Sequence, residues 1–195
     1  AENTEFIELI NPSGRSVSTN GFSLLLVDSS AGSTSTGNVG RILEAWSLDG
    51  LSTGTNGLLL LGDGYGRGQD PWRDEQAPAA ATRLADPAGL DARDLGRIGD
   101  NGAFSLLLVK NFDGLVNDDL DVTGGPGNAG DGILERTSWS ALVDAIAARR
   151  WNATPSVPPA RLEGTSYGGV DLSQSGYTPQ AFARLNGMWS PLSVS

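Results

Sequence analysis

Short apolar runs alternate along the chain with clusters of Gly, Ser, Asn and Asp, a pattern that predicts strands separated by turns. The clearest predicted strands are residues 5–10, 22–27, 58–61 and 104–109, with weaker candidates at 41–46, 181–185 and the extreme C-terminus. Continuous apolar runs such as residues 24–27 indicate strands that are covered on both faces, or whose outer face meets a loop. Glu5 and Glu8 interrupt the first run, which favours a position at the edge of a sheet, where charges block further pairing.

The segment Phe-Ser-Leu-Leu-Leu-Val occurs twice, at residues 22–27 and at residues 104–109. Each copy follows Asn-Gly and precedes a glycine-rich loop and then Ile-Leu-Glu, at residues 42–44 and 133–135. Two copies are too few for a solenoid. The echo indicates either a duplicated half or similar strand positions in a sandwich that have recruited similar residues.

One segment, residues 138–151, does not fit the strand pattern. Trp139, Leu142, Val143 and Ile146 follow the i, i+3, i+4, i+7 spacing of an amphipathic helix. Two arginines follow at residues 149 and 150, where the C-terminus of a helix prefers cations. The local pattern alone therefore predicts one short helix near residues 138–150.

Composition fits one loop-rich globular domain spanning residues 1–195, with 27 glycines and 18% charged residues. The 23 acidic and 13 basic residues give a net charge of −10, which disfavours binding to nucleic acid or to anionic membranes. Histidine and cysteine are both absent, which excludes Ser-His-Asp and Cys-His catalysis and thiolate zinc sites. No run of 18 apolar residues is present, so we expect no membrane insertion. The start at Ala1 rather than Met suggests that a leader was removed or the chain was trimmed.

The most informative chemistry lies in a glycine-rich stretch, residues 117–135, that contains no Lys or Arg. Its candidate metal ligands are Asp118, Asp119, Asp121, Asp131 and Glu135. Alternate carboxylates and the carbonyls of glycine-rich backbone are ligands that Ca²⁺ prefers, so the pattern predicts a calcium site. The spacing differs from that of an EF-hand loop, because residues 122–130 separate Asp121 from Asp131. The alternative interpretation is a solvated acidic loop without a metal.

The order of several motifs resembles the lamin-tail-like domains, in particular those of secreted bacterial proteins. The similar segments are EFIELINPSG at residues 5–14, GFSL at 21–24, NGLLLLG at 56–62, LVDAI at 142–146 and FARL at 182–185. The acidic stretch DDLD at residues 118–121 with DGILE at 131–135 is similar to the acidic insert of those secreted members. Residues 122–130 depart from that insert.

This resemblance implies an all-β protein with an immunoglobulin-like β-sandwich and a non-catalytic role outside the cell. It also implies that residues 143–146 form a strand, which we adopt as the prediction, with the helix as the alternative. Relative to a minimal module of this family, the chain carries long loop insertions at about residues 63–100 and 111–137. Long loops on a rigid sandwich commonly carry binding sites.

The first insertion contains Trp72 and Arg73, which belong to residue types that are enriched at protein interfaces. We consider them as candidate partner-binding residues. The alternative is that Trp72 closes the open end of the sandwich while nearby Arg and Asp side chains pair at the surface.

Three functions remain open from the sequence. The leading hypothesis is a calcium-stabilised subunit, extracellular or at the cell surface after removal of a signal peptide, that binds a protein partner or self-assembles through edge strands or the insertions. The second is an accessory domain that positions substrate, such as a polysaccharide, for a secreted hydrolase. The third is a glycosidase that uses only carboxylates. The third is the weakest, because carboxylates that hold a cation are poor general acids.

Overall fold

The computed structural model describes residues 7–29, 39–62, 81–85, 103–122, 131–152, 161–174, 181–185 and 188–192. These residues contain strands and no helix. The strands are β1 (Ile7–Ile10), β2 (Phe22–Asp28), β3 (Ile42–Ser47), β4 (Leu58–Leu61), β5 (Arg83–Ala85), β6 (Phe104–Lys110), β7 (Ala141–Ala148), β8 (Arg150–Asn152), β9 (Arg161–Glu163), β10 (Val170–Asp171), β11 (Ala181–Leu185) and β12 (Met188–Leu192). The protein is therefore all-β in its described part, and the strands predicted from the apolar runs are confirmed as β1 to β4, β6, β11 and β12.

The strands form two larger sheets and two short hairpin-like pairs. One sheet has the order β1-β4-β5, and the other has the order β10-β7-β6-β2-β3. β8 pairs with β9, and β11 pairs with β12. The predicted edge position of the first strand is confirmed, because β1 is hydrogen-bonded to β4 alone among the described strands.

The chain divides into two compact units. The first consists of Ala1–Ser23 with Trp46–Arg97, and the second of Leu24–Ala45 with Ile98–Ser195. The second unit contains the acidic stretch and most of the five-stranded sheet. No helix in the described part of the chain has the length and apolarity needed to cross a membrane.

Residues 143–146 lie in β7, which pairs antiparallel with β6, so the strand prediction is confirmed and the alternative of a short helix near residues 138–150 is wrong. Leu108 lies opposite Asp144 and Val109 lies opposite Leu142, so Val143 is the extra residue of a β-bulge. A bulge shifts the alternation of a strand by one position. This shift places apolar residues at adjacent positions 142 and 143, which is why the strand imitates a helical spacing.

The two copies of Phe-Ser-Leu-Leu-Leu-Val are β2 and β6, which are neighbours at the centre of the five-stranded sheet. Their leucine runs are buried except for the half-buried Leu108, as expected for strands that are covered on both faces or whose outer face meets a loop. The similarity stops after these strands. Residues 42–44 belong to β3, whereas residues 133–135 lie outside the strands.

One hydrophobic cluster of the second unit lies on one face of the sheet. Its buried members are Leu25, Val27, Val39, Ile42, Leu107, Val109, Leu120, Ala145 and Tyr167, and the half-buried Phe112, Leu134 and Trp139 pack against them. Four of these residues come from the connection between β6 and β7. We call the described part of that connection, residues 111–122 and 131–140, the cover loop. The cover loop supplies apolar side chains that pack against the sheet. Because this packing holds the loop in place, it also determines where the acidic residues of the loop lie.

The short strand β10 is fixed beside β7 by polar contacts. Arg149 forms an ion pair with Asp171 at 2.9 Å, and the Ser173 Oγ accepts the Arg149 backbone N–H at 2.8 Å. Partial burial raises the pKa of Asp171, but hydrogen bonds from the Ser173 hydroxyl and backbone N–H, followed by the charge of Arg149, outweigh it. The pKa of Asp171 therefore lies below its ordinary value of 3.8.

Candidate metal centre

The first part of the cover loop runs beside β3. The Asn117 N–H donates to the Ile42 carbonyl at 2.8 Å, the Ile42 N–H donates to the Asp118 carbonyl at 3.0 Å, and the Leu120 N–H donates to the Gly40 carbonyl at 2.9 Å. Asn117 has φ 75°, a left-handed conformation that Asn tolerates better than most residues. This pairing fixes the main chain of residues 117–120 and places Leu120 in the core.

Asp121 directly follows residues 117–120 and is itself buried, with 4% of its surface exposed. The close approach depends on Gly40, which has φ 81°. A Cβ at residue 40 would lie 2.5 Å from the Asp121 Cβ and 3.0 Å from the Asp121 N. Glycine is therefore required at this position both by its conformation and by the space that Asp121 occupies.

Three donors converge on the buried carboxylate of Asp121. Its Oδ1 accepts the Asp131 N–H at 3.3 Å, and its Oδ2 accepts the Gly132 N–H at 3.0 Å and the Tyr167 hydroxyl at 2.8 Å. These donors are neutral groups, so they satisfy the hydrogen-bonding capacity of Asp121 without cancelling its charge. The carboxylate also joins the two ends of the acidic stretch, since it holds residues 131 and 132 beside residue 121.

Asp131 and Glu135 complete a group of three carboxylates. Oxygen atoms of Asp121, Asp131 and Glu135 all lie within 4.8 Å of one another, with Asp121 buried and the other two exposed. Each exposed carboxylate is oriented by a backbone donor. The Asp131 Oδ1 accepts the Ile133 N–H at 2.9 Å, and the Glu135 Oε2 accepts the Val122 N–H at 2.8 Å.

The structure places the other two predicted ligands outside this group. The Asp118 Oδ2 accepts the Leu115 N–H at 2.7 Å and closes the turn that precedes the β3 pairing. Asp119 lies opposite Arg41 in an isolated antiparallel bridge, and its Oδ1 is buried without a hydrogen-bond partner. Three of the five predicted ligands are thus brought together. The predicted partner-binding pair, Trp72 and Arg73, lies outside the described residues.

The surroundings of Tyr167 reflect the negative charge of this region. Burial is the largest cause that raises the pKa of its phenol, followed by the hydrogen bond to Asp121 and the charges of Asp121, Asp119 and Asp28. Together these effects raise the pKa of the Tyr167 phenol well above its ordinary value of 10.0. Because the phenol stays protonated, it acts as a hydrogen-bond donor to Asp121 at neutral pH.

The three-carboxylate group has the chemistry of a site for a hard cation. Oxygen ligands of one Ca²⁺, each about 2.3–2.6 Å from the ion, are at most about 5 Å apart. The carboxylate oxygens of this group, which lie within 4.8 Å of one another, meet this condition. The exposure of Asp131 and Glu135 leaves the group open to solvent. The residues present therefore suit a divalent metal ion.

Two residues of the site are not indicated by the sequence. Tyr167 lies 46 residues from Asp121 in a Gly- and Ser-rich segment that predicts a turn, and Gly40 lies before β3 in another glycine-rich stretch. Gly40 is a common residue for such a segment, and no charged or metal-ligating neighbour marks Tyr167, so the local sequence does not connect either residue with Asp121.

Comparison of the chain with protein-family models, with curated proteins and with solved structures finds no significant match in any of the three.

Proposed function

We propose that the protein is a non-catalytic β-sandwich module of the lamin-tail-like type, stabilised by Ca²⁺, that acts outside the cell or at its surface as an interaction or self-assembling structural subunit. One observation carries the proposal, namely the convergence of the Asp121, Asp131 and Glu135 oxygens within 4.8 Å. The resemblance of the sequence motifs to lamin-tail-like domains and the all-strand fold support the type of module.

Electrostatics favours an ion at this group. Two unit negative charges 4.8 Å apart repel by about 3.5 kcal/mol at an effective dielectric constant of about 20. Asp121 is buried among neutral donors, which leave its charge in place. A divalent cation would attract each of the three carboxylates, and this attraction would outweigh their mutual repulsion.

Asp119 is a further source of negative charge near the cover loop, although Arg41 lies opposite it in the isolated bridge. The Asp119 Oδ1 is buried without a hydrogen-bond partner, and an unpaired carboxylate oxygen is costly to bury. Asp119 lies next to Leu120 and one further residue from Asp121, so this oxygen adds to the negative potential around the same segment.

Calcium suits the group better than a transition metal does, because the available ligands are hard oxygens and the chain contains neither His nor Cys. Two of the three carboxylates are exposed, which is typical of a weak site. Extracellular modules bind Ca²⁺ with dissociation constants of about 10⁻⁴–10⁻³ M, so such a site would fill outside the cell.

The proposed association with a partner or a second copy is supported by the edge strand β1. Its main chain is paired on one side among the described strands, and Ile10 at its end is 59% exposed. Exposed strand edges are sites of β-strand addition. Glu8, also exposed, would limit pairing to partners that accommodate its charge.

The test is thermal unfolding in EDTA, in Ca²⁺ and in Mg²⁺, combined with sedimentation velocity to measure assembly. Ca²⁺ at about 100 times its dissociation constant should stabilise the folded protein by roughly 2.7 kcal/mol. Asp131→Asn and Glu135→Gln should each reduce this shift. Asp113→Asn is the matched control, because Asp113 is an exposed acidic residue of the same loop outside the three-carboxylate group.

An unchanged melting temperature in Ca²⁺, or equal losses in Asp131→Asn and Asp113→Asn, would contradict the calcium proposal. Larger species in Ca²⁺ would support a self-assembling subunit, whereas a calcium-bound monomer would point to a module that binds a different protein.

A further inference from the structure

Tyr167 connects the sheet to the cover loop, because its backbone bonds to the sheet and its hydroxyl bonds to the loop. Its backbone N–H donates to the Ser105 Oγ of β6 at 2.9 Å, and its hydroxyl donates to the Asp121 Oδ2 at 2.8 Å. The side chain is fully buried. Among the described residues, Tyr167 is the side chain that donates to Asp121, whose other two donors are the backbone N–H groups of residues 131 and 132.

The backbone around Tyr167 is fixed independently of the cover loop. The Thr165 N–H donates to the Ser29 carbonyl at 2.7 Å, and the Ser29 and Ser105 hydroxyls are hydrogen-bonded at 2.8 Å. After Tyr167, the Leu172 N–H donates to the Ala147 carbonyl of β7 at 2.8 Å. Residues 165–172 therefore follow the sheet closely, and Tyr167 projects its hydroxyl from this support to Asp121.

We propose that Tyr167 is the positioning residue of the acidic group: its hydroxyl fixes Asp121, and Asp121 in turn fixes the backbone that carries Asp131. A phenylalanine would fill the same volume and leave the Asp121 Oδ2 with one donor instead of two. The hydroxyl thus adds no apolar packing, and its contribution is the orientation of the carboxylate.

A second consequence rests on the proposed function. If Asp121, Asp131 and Glu135 bind Ca²⁺, Tyr167 is an outer partner of a ligand, and the loss of such partners typically weakens metal binding about 10- to 100-fold. By linkage, Ca²⁺ binding must also stabilise the packing of residues 165–172 against the sheet. The coupling free energy is the same in both directions.

The experiment is hydrogen exchange of the full chain, with and without Ca²⁺, in the wild type and in Tyr167→Phe. In the cation-free protein, Tyr167→Phe should speed exchange of the Asp131 and Gly132 amides roughly tenfold or more. The Kd for Ca²⁺, measured by calorimetry, should rise about 10- to 100-fold.

The matched control is Thr19→Val. Thr19 is buried, and its hydroxyl donates to the Leu48 carbonyl at 2.7 Å in the other compact unit. This variant also loses one buried hydroxyl, but it should leave the exchange at residues 131–132 and the Kd for Ca²⁺ unchanged. Equal effects of Thr19→Val and Tyr167→Phe would show that the tyrosine acts through general stability, which would overturn the positioning role.

The outcomes separate this inference from the proposed function. If the wild type does not bind Ca²⁺ but Tyr167→Phe loosens residues 131–132, the calcium proposal fails and the positioning role stands. If the wild type binds Ca²⁺ and a folded Tyr167→Phe keeps wild-type exchange and affinity, the positioning role fails and the calcium proposal stands.

A measurement without substitution covers the case in which Tyr167→Phe does not fold. The hydroxyl proton of Tyr167, detected by NMR in protein with ring-labelled tyrosine, should exchange slowly with water because it is buried and bonded to Asp121. A rapidly exchanging proton would overturn the inference.

Discussion

Substitution of Gly40 by alanine tests whether the approach of the cover loop to β3 builds the acidic site. Gly40 has φ 81°, and an added Cβ would lie 2.5 Å from the Asp121 Cβ, 3.0 Å from its N and 3.2 Å from its Cα. The left-handed conformation costs an alanine about 1–2 kcal/mol. Overpacking against the main chain of Asp121 adds about 1–3 kcal/mol, since backbone atoms cannot rotate out of the way. We expect Gly40→Ala to destabilise the protein by about 2–5 kcal/mol.

Gly50→Ala isolates the conformational part of this cost. Gly50 has φ 77°, close to the value at Gly40, but a Cβ there would meet no atom within 4 Å. It should lose about 1–2 kcal/mol and no more. The difference between the two variants, about 1–3 kcal/mol, therefore measures the contact between residue 40 and Asp121.

The assay is urea unfolding followed by circular dichroism, with hydrogen exchange to report on each compact unit separately, because Gly40 and Gly50 lie in different units. If the three-carboxylate group binds Ca²⁺ as proposed, Gly40→Ala should also raise the Kd for Ca²⁺ by displacing Asp121, whereas Gly50→Ala should not. Equal destabilisation by the two substitutions, with unchanged exchange at residues 118–135 in Gly40→Ala, would refute this account of the site.

Three further predictions concern the core, the buried hydroxyls and the β10 contacts. Leu120→Ala should lower the free energy of unfolding in urea by about 2–5 kcal/mol, because it removes a buried side chain. Leu115→Ala, at a residue 71% exposed, should change it by no more than about 0.5 kcal/mol. Similar losses in the two variants would contradict the packing of Leu120 in the core. Ser105→Ala should lower the free energy of unfolding by about 1–3 kcal/mol, because the buried backbone N–H of Tyr167 loses its acceptor. A variant as stable as the wild type in the same assay would contradict this. Arg149→Ala should cost about 0.2–1 kcal/mol at pH 7, since the exposed pair is screened by solvent. The folded pKa of Asp171 is lowered, so this contribution is present above pH 3.8 and is lost as the pH falls through the folded pKa; a cost independent of pH would contradict the ion pair.

The sequence predicts the strands well where apolar runs are bounded by turn residues, as in β2, β4 and β6. It predicts β7 poorly, because the bulge at Val143 breaks the alternation on which a strand prediction depends. The resemblance to lamin-tail-like domains, which implied a strand there, corrected the local pattern. β5 and β10 have only three and two residues, and strands this short have no periodicity of their own.

The acidic residue types of the site are also readable from the sequence, but the membership of the group is not. Asp118, Asp119 and Asp121 are neighbours in the chain, and only Asp121 joins Asp131 and Glu135. The difference arises from the pairing of residues 117–120 with β3, which turns Leu120 into the core and directs the carboxylates to different surroundings. Such a choice depends on long-range contacts that local spacing does not encode.

Burial of Asp121 is costly, and this cost indicates what the residue does. A buried carboxylate contributes little net stability, since its desolvation offsets most of the hydrogen-bond energy. An apolar residue at this position would pack as well, but the Asp131 and Gly132 N–H groups would then lack their acceptor. Asp121 therefore specifies where the chain returns after residues 123–130, rather than how strongly the loop is held. The same constraint brings Asp131 and Glu135 to Asp121, so that the residue which fixes the path of the loop is also the one that assembles the candidate metal site.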